Sequence, residues 1–261
     1  MNIYRVRKIF ITILFSAIKF NATAQINESD TLKFQLRTSL TGNYQKGNVE
    51  VLNLRSKIDF SYSPHSNWVF KSQNSSLYQA FYSRKADNDV FSRNYLYYKS
   101  HLRIYPFAIA YISSNFRRKI DSRYFAGVGA TWQIFNVNKN VLKFSLSAIN
   151  ESTNFKNDRY NYKDYNGRDR INLGRFTLYM GGWTYLPERR VRLFYDAFYQ
   201  LAFNNKNNFR TQADAGMEFP IWKGLSFNAL FTYTHENVVI EGIKQDDSIL
   251  TFGLSYSFKV K

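Results

Sequence analysis

Cysteine is absent from the 261 residues, and proline (4), glycine (12) and histidine (3) are scarce. Without cysteine there is no disulfide framework, no thiolate zinc site and no lipid-modified cysteine to anchor the chain. So little proline and glycine excludes collagen-like and low-complexity chains. A transmembrane helix needs roughly 20 mostly apolar residues. The longest apolar run, Ile9 to Ile18, is far shorter and is interrupted by Thr12 and Ser16. Acids are also scarce, 19 against 36 Lys and Arg, for a net charge of +17. What is plentiful is aromatic: 20 Tyr and 24 Phe in a chain of mean hydropathy −0.42. That much ring surface argues against disorder.

The first residues read as an export signal. Arg5, Arg7 and Lys8 precede the apolar run, and Ala22-Thr23-Ala24 supplies the small residues a signal peptidase reads before Gln25. The expectation is a signal peptide over residues 1–24, followed by one domain over 25–261.

Beyond Leu32 the chain has one period, and it is two. Leu250, Phe252, Leu254, Tyr256 and Phe258 alternate with Thr251, Gly253, Ser255 and Ser257. Leu52, Leu54, Ile58, Phe60 and Tyr62 likewise alternate with Asn53, Arg55, Lys57, Asp59 and Ser61. On a pleated strand each set takes one face. The segments run about 9–13 residues, the length of a tilted bilayer crossing.

Short connections fall near residues 63–67, 105–107, 136–140, 186–190 and 220–224. Longer ones are expected at 42–48, 83–93, 117–123, 150–172, 204–208 and 236–247. Five turns and six loops join twelve strands, so the expected fold is all-β: a closed antiparallel transmembrane β-barrel of about twelve strands, with short periplasmic turns and longer extracellular loops. Rings near strand ends (Trp68, Phe70, Tyr95, Tyr97, Tyr98, Trp183, Tyr185, Phe219, Trp222) are candidates for the two interfacial girdles.

Three short motifs point to a family. Gly47-Asn48-Val49, the run Arg93-Asn94-Tyr95-Leu96-Tyr97-Tyr98, and the Gly127 and Gly129 pair resemble the salt-stress-induced outer-membrane proteins grouped as domain-of-unknown-function family 481, across residues 32 to 258. The resemblance implies a bacterial outer-membrane barrel with no established activity, and so brings no catalytic residues. One departure is the end of the chain. Many barrels finish on an aromatic residue read by the barrel-insertion machinery, whereas here Phe258 is followed by Lys259-Val260-Lys261.

Candidate chemistry is sparse. Ser100 and His101 are adjacent and therefore on opposite faces of any strand, and no other spacing joins a nucleophile to a base. The acids of Asp87 and Asp89, or Glu241 with Asp246 and Asp247, lack the ordered spacing of a calcium loop. No catalytic, cofactor or metal residue is assigned, and an enzyme is not expected.

The parity of the strands instead places Arg37, Arg55, Lys57, Lys71, Lys99, His101, Arg103, Lys143, Arg175, Arg192 and Arg210 in the lumen. Asp59, Glu151, Asp196, Asp214 and Glu218 are the acids available to pair with them. That excess of bases favours small anions. A second basic group, Lys156, Arg159, Lys163, Arg168 and Arg170, is interleaved with Tyr160, Tyr162 and Tyr165 and suits the phosphates and sugars of lipopolysaccharide. Expected partners are thus outer-membrane lipid, lipopolysaccharide, the insertion machinery and small anions. Nucleic acid is excluded by export. The expected role is envelope structure or osmotic and salt-stress response with limited anion passage; the alternatives are an anion-preferring channel and a lipid hydrolase.

Overall fold

The computed structural model describes residues 26–260 apart from 31, 66, 138–139 and 187–190, so the expected signal peptide lies outside the described residues. Twelve antiparallel strands follow one another around a closed barrel: β1 Phe34–Gln45, β2 Val51–His65, β3 Trp68–Phe81, β4 Arg84–Tyr98, β5 Ile104–Asn115, β6 Ile120–Val137, β7 Asn140–Phe155, β8 Arg170–Tyr185, β9 Arg192–Ala202, β10 Phe209–Trp222, β11 Leu225–Glu236 and β12 Asp246–Val260. Closure runs from Phe34 opposite Val260 to Gly42 opposite Phe252. It leaves no unpaired edge, as a bilayer requires. Lengths reach 18 residues in β6, more than a crossing needs.

The alternation explains the two faces. Leu40, Leu54, Ile58, Leu146, Phe176, Leu178, Phe231, Phe252 and Leu254 point outward and are exposed. In water such a surface would aggregate, but against lipid it is solvated. The outward face of β3 and β4 is more polar at mid-height, with Ser72, Asn74, Ser92 and Asn94. These bond locally: the Asn74 amide donates to the Ile58 carbonyl (3.1 Å) and to Ser72 Oγ (3.0 Å), and Asn94 donates to Ser92 Oγ (3.0 Å).

Two expected connections are displaced. Residues 83–93 are not a loop. Tyr82 and Ser83 adopt left-handed backbone (φ 46° and 59°) and make a tight hairpin, Phe81 facing Arg84, so β4 starts at once. The polarity of Lys85 to Asn88 marks strand that leaves the membrane, not irregular chain. The turn expected around Tyr105 to Phe107 instead occupies Lys99 to Arg103. Lys99 is left-handed (φ 49°), and its carbonyl accepts from the Leu102 N–H at 3.0 Å. Lys99, His101 and Arg103 therefore leave the strand at the turn end and do not line the lumen; His101 and Arg103 are exposed.

Trp68 and Tyr98 do meet on the exterior (ring centroids 4.8 Å), and Phe219 and Trp222 are exposed there. Tyr95, Tyr97 and Trp183, expected in the girdles, turn inward and are buried. Parity decides this, since each lies on the lumenal set of its strand.

Candidate functional site in the barrel lumen

Residues 26–30 precede β1 and fold back into the turn end of the barrel. Glu28 is 5% exposed. Its carboxylate accepts from Lys143 Nζ (2.8 Å), Lys71 Nζ (3.1 Å) and the Tyr105 hydroxyl (2.8 Å), while its carbonyl accepts from Ser100 Oγ (2.6 Å). Asn27 Oδ1 takes a further bond from Lys143 (2.6 Å), and Asp30 faces Lys259 at 3.4 Å. Burial by itself would push the Glu28 carboxyl up. Lys143 and then Lys71 outweigh it and hold the group well below the usual carboxylate range. Segment 26–30 is thus an ion-paired plug across the mouth.

Many of the charges deeper inside are paired as well. Glu218, with no exposed surface, receives Arg37 (3.0 Å) and Arg192. Lys57 meets Asp214 at 2.9 Å. Glu151 receives Arg175 (3.0 Å) and Arg210, and Glu236 is gripped by Arg123 through two bonds (2.9 and 2.8 Å). At the loop end Arg117 bridges Asp87 (3.2 Å) and Asp247 (2.7 Å), and Arg118 adds a second bond to Asp247 (2.7 Å).

Of the bases assigned from the sequence, Arg37, Arg55, Lys57, Lys71, Lys143, Arg175, Arg192 and Arg210 thus have lumenal partners. Among the described residues Arg55 has only Thr232 Oγ1, at 2.5 Å. Parity missed Arg93, Arg117, Arg118 and Arg123, and the acids Glu28, Asp87, Asp89, Glu236 and Asp247. Counting them brings acid close to base, so the interior is an ion-paired network rather than a strongly cationic one.

The opposite wall is apolar. Val69, Tyr95, Tyr97, Tyr105, Phe107, Ile109, Phe125 and Ile149, from β3 to β7, form one buried cluster with Tyr111 beside it. Tyr95 stacks on Tyr97 (5.4 Å) and Tyr111 on Phe125 (4.5 Å). Across the lumen the Tyr179 hydroxyl donates to Asp196 (2.5 Å) over Gly181, where an added Cβ would collide with that hydroxyl.

Between the walls lies a cavity of about 140 Å³, which begins at Glu28 and Lys143 and reaches Asn115, Arg118 and Asp247. A second, of about 80 Å³, lies beside it toward Arg37, Asp59 and Asp196. Arg93 lines both.

Two loops pack together over one side of the loop end. Tyr160, Tyr165, Val238 and Ile240 pack on Ile120, Phe155 and Ile171, tying the 156–169 loop to the 237–245 loop through a Tyr160–Ile240 bridge. The Tyr165 hydroxyl accepts from Asn208 (3.0 Å). Burial raises Tyr160 to about 12, with Asp169 and Asp158 adding to the shift. Lys156, Arg159, Lys163, Arg168 and Arg170 are all exposed, but Tyr160 and Tyr165 are buried in this lid and cannot stack on sugars. Arg170 opens β8 and bonds Ser152 Oγ (3.0 Å) and the Tyr124 hydroxyl on the barrel exterior. Lys156 joins Lys85 and Lys119 around the exposed Phe116 ring, at 5.8, 4.8 and 5.9 Å. His235 Nδ1 lies 2.9 Å from Asp246 on the outer rim, and no serine bonds it among the described residues.

An even-stranded closed barrel, apolar outside and ion-paired within, is an outer-membrane-type β-barrel. Residues 38–258 match the family described as "Protein of unknown function, DUF481", and the chain belongs to it. No curated protein matches the sequence. Similar solved structures include the NanC porin (12% identity, TM-score 0.48, covering 85% of this chain and 98% of that one). The COG4313 outer membrane channel from Pseudomonas putida F1 has 9% identity and a TM-score of 0.48, covering 93% and 99%. The translocator domain of the autotransporter NalP from Neisseria meningitidis has 12% and 0.40, covering 98% and 96%.

Proposed function

We propose that the protein sits in the bacterial outer membrane as a non-enzymatic barrel that admits small anions slowly, held shut at rest by its N-terminal segment on the periplasmic side and by its folded loops outside. The observation that carries this reading is the cavity that runs from Glu28 in the N-terminal segment to Asp247, beside the packed loops. A merely structural barrel of this girth could fill its interior with side chains, whereas a constitutive pore would leave its mouths open. The exposed bases Lys156, Arg159, Lys163, Arg168 and Arg170, with the lysines around Phe116, favour contact with lipopolysaccharide phosphate. A closed passage suits an envelope protein that responds to osmotic or salt stress.

Planar-bilayer conductance tests the proposal. The native barrel is expected to be nearly silent. Glu28→Gln leaves Lys71 and Lys143 uncompensated at the mouth, and should give a conductance at least tenfold higher with a reversal potential favouring anions. Silence in both, or cation preference in the variant, refutes the passage.

A further inference from the structure

Arg93, like Arg55, has no acid partner among the described residues, and unlike Arg55 it has no hydroxyl acceptor either. It lies on β4 at 9% exposure. No carboxylate lies within 4.0 Å of it, and no side chain accepts a hydrogen bond from it, among the described residues. Its guanidinium instead rests on rings, 4.2 Å from the centroid of Phe198, 5.4 Å from Phe91 and 5.6 Å from Tyr111. A buried guanidinium with five donors and no acceptor is costly unless something supplies one.

Two neighbours add to the case. Gln73 faces Arg93 across the β3–β4 ladder and lines the same two cavities, and its amide is unbonded among the described residues. The larger cavity continues from Arg93 onto the apolar cluster, at Ile109 and Phe125. A polar end that carries the unpaired guanidinium thus passes directly into a greasy shelf. Its volume, about 140 Å³, is close to the roughly 150 Å³ of an apolar cavity that takes up one benzene.

We infer that this is a binding site for a small amphiphilic monocarboxylate, an aromatic or short-chain acid. Its carboxylate accepts two parallel bonds from Arg93 and a third from the Gln73 amide, and its apolar body lies on the Ile109–Phe125 wall. The geometry selects against the other classes. An inorganic anion would leave the shelf wet, and a cation would face the guanidinium. The inference deepens the passage proposed above by naming its solute class.

Calorimetric titration of the full barrel, folded in detergent, tests it with sodium benzoate, benzylamine and sodium acetate as probes. Native and Glu28→Gln barrels are both titrated, so a closed mouth cannot mask the site. Benzoate should bind one per barrel, with benzylamine and acetate at least tenfold weaker, and Arg93→Gln should lower benzoate affinity at least tenfold. The heat-modifiable gel shift reports whether that variant folds, and if it does not, the three-probe series on the native chain decides. Benzoate binding in neither barrel, equal binding of benzylamine, or undiminished binding to a folded Arg93→Gln overturns the site. A barrel that binds benzoate yet never conducts refutes passage and keeps the site. One that conducts without binding does the reverse.

Discussion

The two walls of the lumen are built from different chemistry. The wall from β8 through β12 to β2 is held by ion pairs such as Arg192–Glu218–Arg37 and Lys57–Asp214. The wall from β3 to β7 is held by rings such as Tyr95 on Tyr97 and Tyr111 on Phe125. A charge buried inside a barrel is costly without a partner, so the paired charges of the ionic wall fix strands against one another across the lumen and fill it. Rings satisfy one another along their own wall and demand nothing from the far side. The cavity therefore survives along the ring wall, and Arg93, which projects from that wall, is left with neither an acid nor another side-chain acceptor among the described residues.

If this division is right, damage to the ionic wall should be the most severe. Glu218→Gln strands Arg37 and Arg192 and should destabilise the barrel by about 3–5 kcal/mol in a urea titration in lipid vesicles. A loss below 1 kcal/mol would mean the network is solvated. On the exterior, Leu254→Arg between Leu40 and Phe227 should cost about 2–4 kcal/mol at mid-bilayer. The same change at lumenal Ser39, which borders the smaller cavity, should be milder, and equal penalties would contradict the assigned faces. On the ring wall, Ile109→Val should cost only about 1 kcal/mol by the same titration.

Acid and alkali should act on opposite ends of the molecule. Because Glu28 is held low, its contribution to the plug is complete above the ordinary carboxylate pKa and is lost only as pH falls through the depressed value. The native barrel should accordingly stay silent at mildly acid pH. Tyr160 is raised to about 12, so its contribution to the lid is complete below the tyrosine value of about 10 and is lost as pH climbs toward 12. Protease sensitivity of the 156–169 loop should rise across that alkaline window and not below it.

The exterior was legible in the sequence because lipid imposes a strict alternation on strands such as β2 and β12. The interior was legible only where one parity is polar and the other apolar. On β5 both parities are apolar, with Ile104, Ala108 and Ile112 outside and Tyr105, Ile109 and Tyr111 inside, so no periodicity reveals the ring wall. On β4 the polar start hid Asp87, Asp89 and Arg93, although Asp87, Asp89, Phe91, Arg93 and Tyr95 share one parity once the strand is extended. Ion pairs such as Arg123–Glu236 join residues far apart in sequence, and closure alone brings them together. The plug left no trace, because a five-residue polar segment has no period to read.

The central claim is that residues 26–30 sit inside the barrel mouth and are held there by Glu28. A chain without cysteine allows a clean measurement of it. A single cysteine placed at buried Ile26 and another at exposed Lys33 can be labelled with a membrane-impermeant maleimide in separate proteins. Ile26→Cys should react at least tenfold more slowly than Lys33→Cys, and adding Glu28→Gln should erase most of that difference. Equal rates in the otherwise native barrel would contradict the claim.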